Sequence, residues 1–583
     1  MLALLRLLPF LRPYRGAIIL GAVVAVLNNA VGILGPWLLK LAVDALQSGG
    51  TVALLAQYAA LMVAVAAGVL RFYMRQILIG VSRHAELDLR NAFFAHLQKL
   101  PASFYNRRRT GDIMARLTSD LESVRSVLGP GVMYPLDTIS MAAFVLTMML
   151  LLSVKLTIAV LIAAPLVSLA VFYLGRVTFR LHTRIQQQFS ALSDCAEENL
   201  AGVRVVRAFA QEEREYRKFD ELNREYVQRN LAMTRVQALF MPLMFLLFEL
   251  VTAMVLLLGG RAIIADRLTL GGFVAFVGYL GMLAWPIIAV GWVANLFQRG
   301  AASMKRLTEI LDVVPEIAPP PELRRPSEIR GEIEFADVGF SYDGDRPALS
   351  QLSFVIPPGR TVAIVGRTGS GKSTLVSLIP RLFDPTEGRV LIDGIPTTDW
   401  DLHALRRTIA VVPQDAQLFS DTVSANLRFG APDAPPEDLL RAAEISQIAK
   451  DVAAFRSGYE TVVGERGITL SGGQKGRTAL ARALLCDPKI LILDDALSAV
   501  DTQTEEEILD GLRRFMAGRT SIIISHRVST VKNADEIFVL DKGRLMERGT
   551  HDELIARGGY YAELDRMQKL EAELEEMDED AAS

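Results

Sequence analysis

Cysteine and histidine are scarce: 583 residues hold two cysteines, Cys195 and Cys486, and six histidines. The cysteines stand far apart, with no CxxC and no cysteine–histidine spacing around them, so neither a disulfide framework nor a cysteine-based metal site is expected. An excess of one charge is missing too. Lys and Arg number 62 against 65 Asp and Glu, a formal net charge of −3. No basic tract lies outside the flanks of the apolar runs, which removes the electrostatic footprint of a nucleic-acid partner. What is abundant is apolar side chain, at 51% of residues and a mean hydropathy of +0.29. Charge-free stretches crowd the first 300 residues, a distribution that excludes a purely soluble enzyme. The length exceeds one ordinary core, so several domains are expected.

A bilayer core takes about 20 apolar residues per helix, and residues 16–39 run that far without a charge; a signal sequence has a shorter apolar region. Further stretches at 52–70, 133–154, 156–175, 238–260 and 272–298 bring the expected spans to six. Arg6, Arg12 and Arg15 precede the first span, and Arg107, Arg108 and Arg109 follow the second, which places those segments, and with an even number of spans both termini, in the cytoplasm. The inner connections, residues 82–132 and 176–237, mix charge with apolar residues at helical spacing. The spans are expected to continue through them as helices, with the turn-like Thr110-Gly111-Asp112 and the charged Glu212-Glu213-Arg214-Glu215 as tips that touch another domain. Ionisable groups inside spans are costly and tend to face a cavity or a partner. Glu249 in the fifth span and Arg71 and Arg75 in the second are therefore candidate substrate contacts, with an interhelical pair or snorkelling as the plainer roles.

Pro315, Pro319, Pro320, Pro321 and Pro326 then favour extended chain, a linker over 313–330. From Gly331, β-like runs at 332–335, 361–365, 409–412, 490–493 and 521–525 alternate with helical ones, the pattern of a covered, largely parallel sheet. The expected organisation is a six-helix transmembrane domain over 1–312, the linker, an α/β P-loop nucleotide-binding domain over 331–565 and an acidic tail over 566–583.

The strand 361–365 leads into Gly366-Arg367-Thr368-Gly369-Ser370-Gly371-Lys372-Ser373-Thr374, and a helical run over 375–382 follows. This is a P-loop. Glycines let backbone N–H groups converge on phosphates, Lys372 reaches the β and γ oxygens, and the Ser373 hydroxyl ligates Mg²⁺. The apolar strand 490–493 ends in Asp494, a carboxylate placed for the same Mg²⁺ at the carboxyl edge of the sheet. Tyr342, 24 positions ahead of Gly366, is a candidate to stack on adenine. ATP and Mg²⁺ are the expected cofactors.

Leu470-Ser471-Gly472-Gly473-Gln474 resembles the signature motif of ATP-binding-cassette proteins. Similar to that family too are a Q-loop glutamine, Gln414, which the resemblance also makes a Mg²⁺ ligand, a D-loop, Ser498-Ala499-Val500-Asp501, and a switch histidine, His526. Gly464-Glu465-Arg466-Gly467 resembles the X-loop of its exporter branch. The order of spans, linker and cassette is that of an exporter half-transporter. The resemblance implies two cassettes facing head to tail, each ATP lying between one P-loop and the signature of the other chain.

One position departs from the pattern. The family's catalytic Glu follows the Mg²⁺-binding Asp, and this chain reads Asp494-Asp495. A general base must approach its water to about 3 Å, and the missing methylene draws Asp495 back by roughly a C–C bond. A site that binds ATP and hydrolyses it poorly is expected. Gly476 also departs from the family's usual Gln or basic residue. Bacterial heterodimeric multidrug exporters pair a chain with Asp here with a partner that keeps Glu, so the resemblance implies such a partner, membrane lipid around the spans, and hydrophobic or amphipathic cargo leaving across the inner membrane. A homodimeric lipid flippase and a nucleotide-gated or regulatory subunit are the alternatives.

Overall fold

A computed structural model describes residues 2–47, 52–317, 324–326, 328–342, 344, 346–464, 467 and 469–570. Pro319, Pro320 and Pro321 of the linker, Glu465 and Arg466 of the X-loop and most of the acidic tail lie outside the described residues. The chain divides into two compact units, Met1–Gln98 with Thr110–Val313, and Lys99–Arg109 with Val314–Ser583.

The first unit is helical. Its main helices are Arg15–Gly32, Leu34–Gln47, Val52–Leu97, Pro130–Leu152, Val154–Ala201, Glu212–Ile264 and Leu270–Leu311. The 53 residues of Glu212–Ile264 rise about 80 Å at 1.5 Å each, far beyond a hydrocarbon core of about 30 Å, so apolar spans do continue as polar helices. Among the described residues, five stretches are long and apolar enough to cross a membrane: Ala3–Gln47, Leu54–Leu97, Thr110–Leu152, Glu212–Ile264 and Leu270–Leu311. The expected fourth span, 156–175, lies in Val154–Ala201, whose apolar part among the described residues is the shorter Val154–Pro165.

Both expected tips are helix starts. Thr110 opens the helix Thr110–Ala115, in which Asp112 pairs with Arg116 at 3.0 Å. Glu212, Glu213 and Glu215 form the first turn of Glu212–Ile264, where Glu213 pairs with Arg217 at 2.9 Å and Glu215 accepts from Asn199 Nδ2 at 3.0 Å. Carboxylates are favoured there because the first-turn N–H groups are unpaired and the helix dipole is positive. Asp44 performs a similar service over a long sequence separation. Its carboxylate accepts from Gly271 N at 2.9 Å and Thr269 Oγ1 at 3.1 Å, capping Leu270–Leu311. A Cβ at Gly271 would stand 2.3 Å from the Lys40 carbonyl, so only glycine admits this approach.

The second unit holds two sheets. Strands β1 (Ile333–Phe340), β2 (Leu349–Ile356), β4 (Glu387–Ile392) and β5 (Ile395–Pro396) form an antiparallel sheet in the order β2-β1-β4-β5. The second sheet contains β3 (Thr361–Gly366), β6 (Ile409–Val412), β7 (Ile490–Asp494), β8 (Thr520–Ile524), β9 (Glu536–Asp541) and β10 (Arg544–Gly549), ordered β10-β9-β3-β8-β7-β6. It is parallel except for the β9–β10 hairpin. The antiparallel sheet was hidden in sequence because its registers are irregular and β4 joins β1 only after β3 and the helix Lys372–Leu378 have intervened in the chain. One apolar core lies under both sheets around Phe335, Ile364, Trp400, Ile492 and Ile522. Another joins Leu439, Leu480, Leu484 and Ile508 to the opposite face through Leu491 and Leu493. Burial on both faces explains the unbroken apolar runs Ile490–Leu493 in β7 and Ile522–Ile524 in β8.

Ile492 is fully buried in the strand that ends at Asp494. Ile492→Ala is expected to lower cassette stability by about 2–5 kcal/mol, measured by denaturant unfolding; an unchanged midpoint would remove β7 from the core that positions the site.

Candidate nucleotide site

Parallel pairing brings three strand ends together. Asp494 is in register with Ile524, which is in register with Ile364, so Gly366, Asp494 and the segment after β8 leave the sheet at one edge. The P-loop takes backbone forms that glycine tolerates, with φ of +154° at Gly366, +80° at Gly369 and +100° at Gly371. At Gly366 a Cβ would meet the Leu540 carbonyl at 2.1 Å. The helix after the loop runs Lys372–Leu378, shorter than expected: Pro380 has no N–H to continue it, and Arg381 turns left-handed at φ +54°.

Lys372 is buried, and its Nζ donates to the carbonyls of Gly366 at 2.9 Å and Arg367 at 3.0 Å. Burial pulls the Lys372 ammonium below its ordinary range, opposed by Asp494 and Asp495. Burial pushes the Asp494 carboxyl up, against a hydrogen bond from Ser373 and with help from the neighbouring Asp495. Ser370 Oγ is buried without a hydrogen-bond partner. An orphaned hydroxyl, a buried ammonium turned onto its own loop and open glycine backbone fit a polyanion. The Ser373 hydroxyl and the Asp494 carboxylate are the paired oxygen donors that fit Mg²⁺, with phosphate oxygens completing the shell. Thr374 Oγ1 lies 3.1 Å from the Tyr342 hydroxyl. Phe340 and Phe383 meet the Tyr342 ring near-perpendicular, and the ring remains half-exposed. Arg367 lies over the Tyr560 ring, and Thr368 is exposed.

Asp495 has φ +50° and its N–H donates to the Ile524 carbonyl at 2.9 Å. Gln414 Nε2 reaches Asp495 Oδ2 at 3.5 Å, the outer limit of a hydrogen bond. His526 is close enough to favour the charged form of Asp494. Its loop is clasped by residues that sequence reading missed. Gln568 donates to the His526 carbonyl and accepts from Val528 N at 2.8 Å, while buried Glu505 accepts from Thr530 and pairs with Arg527.

The signature lies elsewhere in the same unit. Ser471 caps the helix Gly472–Leu485 in a capping box: Ser471 Oγ accepts from Gln474 N at 3.3 Å, and Ser471 N donates to Gln474 Oε1 at 3.0 Å. Gln474 Nε2 donates to Asp451 at 2.9 Å, and Asp451 also pairs with Arg477. Gly473 lies so near the Ala499 carbonyl that a Cβ would stand 2.8 Å from it, which ties the signature to the D-loop. Asp501 caps the next helix through Thr504 N, and that bond holds its carboxyl below the usual range. Among the described residues no hydrogen bond joins signature to P-loop, so P-loop, Asp494, Asp495, Gln414 and His526 form one group and Ser471–Gln474 another. Glu249, Arg71 and Arg75 are exposed and have no hydrogen-bond or ion-pair partner among the described residues. Asp137, an acid in the third apolar run, was overlooked in sequence; its carboxylate accepts from Asn29 Nδ2 at 3.0 Å.

Residues 18–287 match the ABC transporter transmembrane region family, and residues 349–498 match the ABC transporter family. The chain belongs to the ABC transporter family. Its similarity extends over most of the length of these relatives. It is 39% identical to the probable multidrug resistance ABC transporter ATP-binding/permease protein YheI of Bacillus subtilis, over 93% of each chain. It is 37% identical to the ATP-dependent lipid A-core flippase of Burkholderia orbicola, over 97% of this chain and 96% of that one. The solved structure of a bacterial Atm1-family ABC exporter with ATP bound superposes with a TM-score of 0.78 at 31% identity, covering 96% of this chain and 98% of that one. The protein is thus an ABC exporter chain, a multi-pass membrane ATPase coupled to transport.

In this ABC exporter chain, Lys372→Ala is expected to weaken nucleotide binding about tenfold or more, the worth of a lost charge-assisted bond. Titration with a fluorescent ATP analogue checks it, unchanged affinity being the contrary result. A second test uses pH. The raised Asp494 value means that its contribution to stability is whole below the ordinary carboxylate range and is lost as pH rises through its own higher value. In nucleotide-free protein, Asp494→Asn should therefore raise the unfolding temperature at about pH 7, the difference closing towards about pH 4. A stability loss at neutral pH would count against a burial-dominated carboxylate.

Proposed function

We propose that this chain is one half of a heterodimeric ATP-driven exporter of hydrophobic or amphipathic substrates, binding ATP at a P-loop that turns over slowly and lending an intact signature to a partner that keeps Glu where this chain has Asp495. On this reading it lies in the inner membrane with both termini and the cassette in the cytoplasm. The observation that carries the asymmetry is Asp495, which follows Asp494 at the strand end and whose carboxylate is met by Gln414 Nε2 at 3.5 Å. Positioned acid–base help is worth about 10²–10⁴-fold, and a base one methylene short forfeits much of it.

The roles follow from the atoms. Tyr342 offers its ring face to adenine, the P-loop amides and Lys372 hold phosphate, and Gln414 and His526 flank the position of the attacking water. Mg²⁺, held by Ser373, Gln414 and Asp494, supplies charge neutralisation at the phosphates. Ser471 to Gln474 present a helix N-terminus to the nucleotide of the other chain. A two-chain site is supported by the separation of signature from P-loop. It is also supported by the helix pair Val154–Ala201 and Glu212–Ile264, which pack chiefly on each other and leave Tyr173, Phe179, Leu231 and Phe245 exposed. The tip between them exposes Leu200, Val205 and Phe209 beside the Glu212–Glu215 acids, a surface suited to a cassette.

In the assembled heterodimer, changing the partner's equivalent Glu to Gln is expected to cut phosphate release at least about 10²-fold, near 2.7 kcal/mol of barrier, while Asp495→Asn changes it less than about threefold. Equal losses would establish two equivalent sites and favour a homodimeric flippase, as would Asp495-dependent ATPase in this chain purified alone.

A further inference from the structure

The cassette accounts for the titratable groups at the sheet edge but not for a polar cluster among the apolar helices of the first unit, formed by buried Asn28 and Asn29 and half-buried Asp137. Asp137 is on Pro130–Leu152, within a run that is otherwise free of charge. Its backbone carbonyl and Oδ1 accept from Asn29 Nδ2, at 2.9 and 3.0 Å. Asn28, 2% exposed, donates to Asn29 Oδ1 at 3.3 Å and has its own Oδ1 buried with no partner. No Lys, Arg or His pairs with Asp137 among the described residues. The cluster is thus a carboxylate held by an amide, with a spare acceptor and no compensating cation. Such a charge among apolar helices is costly unless something neutralises it.

One turn before Asp137, on the same face of the helix, Tyr134 makes an edge contact with Trp292 at 4.9 Å and a tilted one with Trp285 at 6.2 Å. The two tryptophans are seven residues apart on Leu270–Leu311, so they share a face, and both remain nearly half-exposed. Aromatic faces attract cations, Trp most strongly, by about 0.5–2 kcal/mol according to desolvation.

We propose that Asp137, Asn28 and Asn29 with Tyr134, Trp285 and Trp292 form a recognition site for an organic cation with a bulky apolar body. The carboxylate supplies the countercharge, the spare amide oxygen accepts any N–H the cation carries, and the rings cover its apolar surface. This narrows the export reading to cationic amphiphiles and rests on that reading only for the fate of the bound cation.

Binding is measured without nucleotide, on the full chain in lipid nanodiscs, with tetraphenylphosphonium as cation and triphenylphosphine oxide as neutral comparator. Wild type should bind the cation at least tenfold more tightly than the oxide. Asp137→Asn keeps the acceptor for Asn29 and should weaken the cation at least tenfold while leaving the oxide within twofold. Trp292→Leu should weaken the cation severalfold, which tests the rings should the Asp137 variant not fold. Equal wild-type affinity for the two probes, an unchanged cation affinity in Asp137→Asn, or an equal loss for both probes overturns the proposal. Because no ATP is present, these outcomes are independent of whether Asp495 marks a slow site.

Discussion

The parallel hydrogen bonding of β3, β8 and β7 is the constraint on which the cassette depends. Parallel strands in register end at the same edge, and here that edge receives Gly366, Asp494 and the segment that carries His526. A one-residue slip in β7 would exchange its two buried faces and move the strand-end acid. The slip is opposed by the two cores, one gripping Ile490 and Ile492 and the other Leu491 and Leu493. Packing on both faces, more than any bond within the site, holds the acids where phosphate chemistry needs them.

That precision leaves the nucleotide-free site under electrostatic load. Lys372, Asp494 and Ser370 are buried, burial disfavours the charged forms of the first two, and the Ser370 hydroxyl has no partner. A polyanion that satisfies these groups stabilises the fold in proportion to its binding. The signature carries no comparable load. Its serine and glutamine satisfy each other in the capping box, and Asp451 takes the remaining amide. One group of residues is incomplete without a ligand and the other is complete but open, as complementary halves of a shared site would be.

The membrane helices follow a different rule. Where water is scarce, each polar group needs a partner within the helices. Tyr279 donates to the Ile33 carbonyl at 2.8 Å, a buried hydroxyl that ties Leu270–Leu311 to the junction between Arg15–Gly32 and Leu34–Gln47. Asp137 and Asn28 break the pattern by keeping capacity in reserve, as does the buried hydroxyl of the adjacent Thr138.

Much of this protein was legible in sequence because its strongest signals are local. Apolar runs longer than a bilayer, a P-loop between a strand and a helix, an apolar strand ending in Asp494-Asp495 and a capped glycine signature each owe their meaning to neighbours within a few positions. Tertiary structure alone decided what depends on distant residues. The antiparallel β1-β2-β4-β5 sheet is joined by irregular registers, Asp44 caps a helix more than 220 positions away, and Asp451 holds the signature across 23 residues. The same holds for the Glu505 and Gln568 clasp on the His526 loop and for Asp137. Along the chain that aspartate is one acid in an apolar run; only helix packing brings Asn29, 108 positions earlier, within hydrogen-bond reach of it. Local patterns are set by backbone geometry and burial, which residue order encodes directly, whereas these pairings arise from how whole helices and sheets pack, which no short stretch of sequence contains.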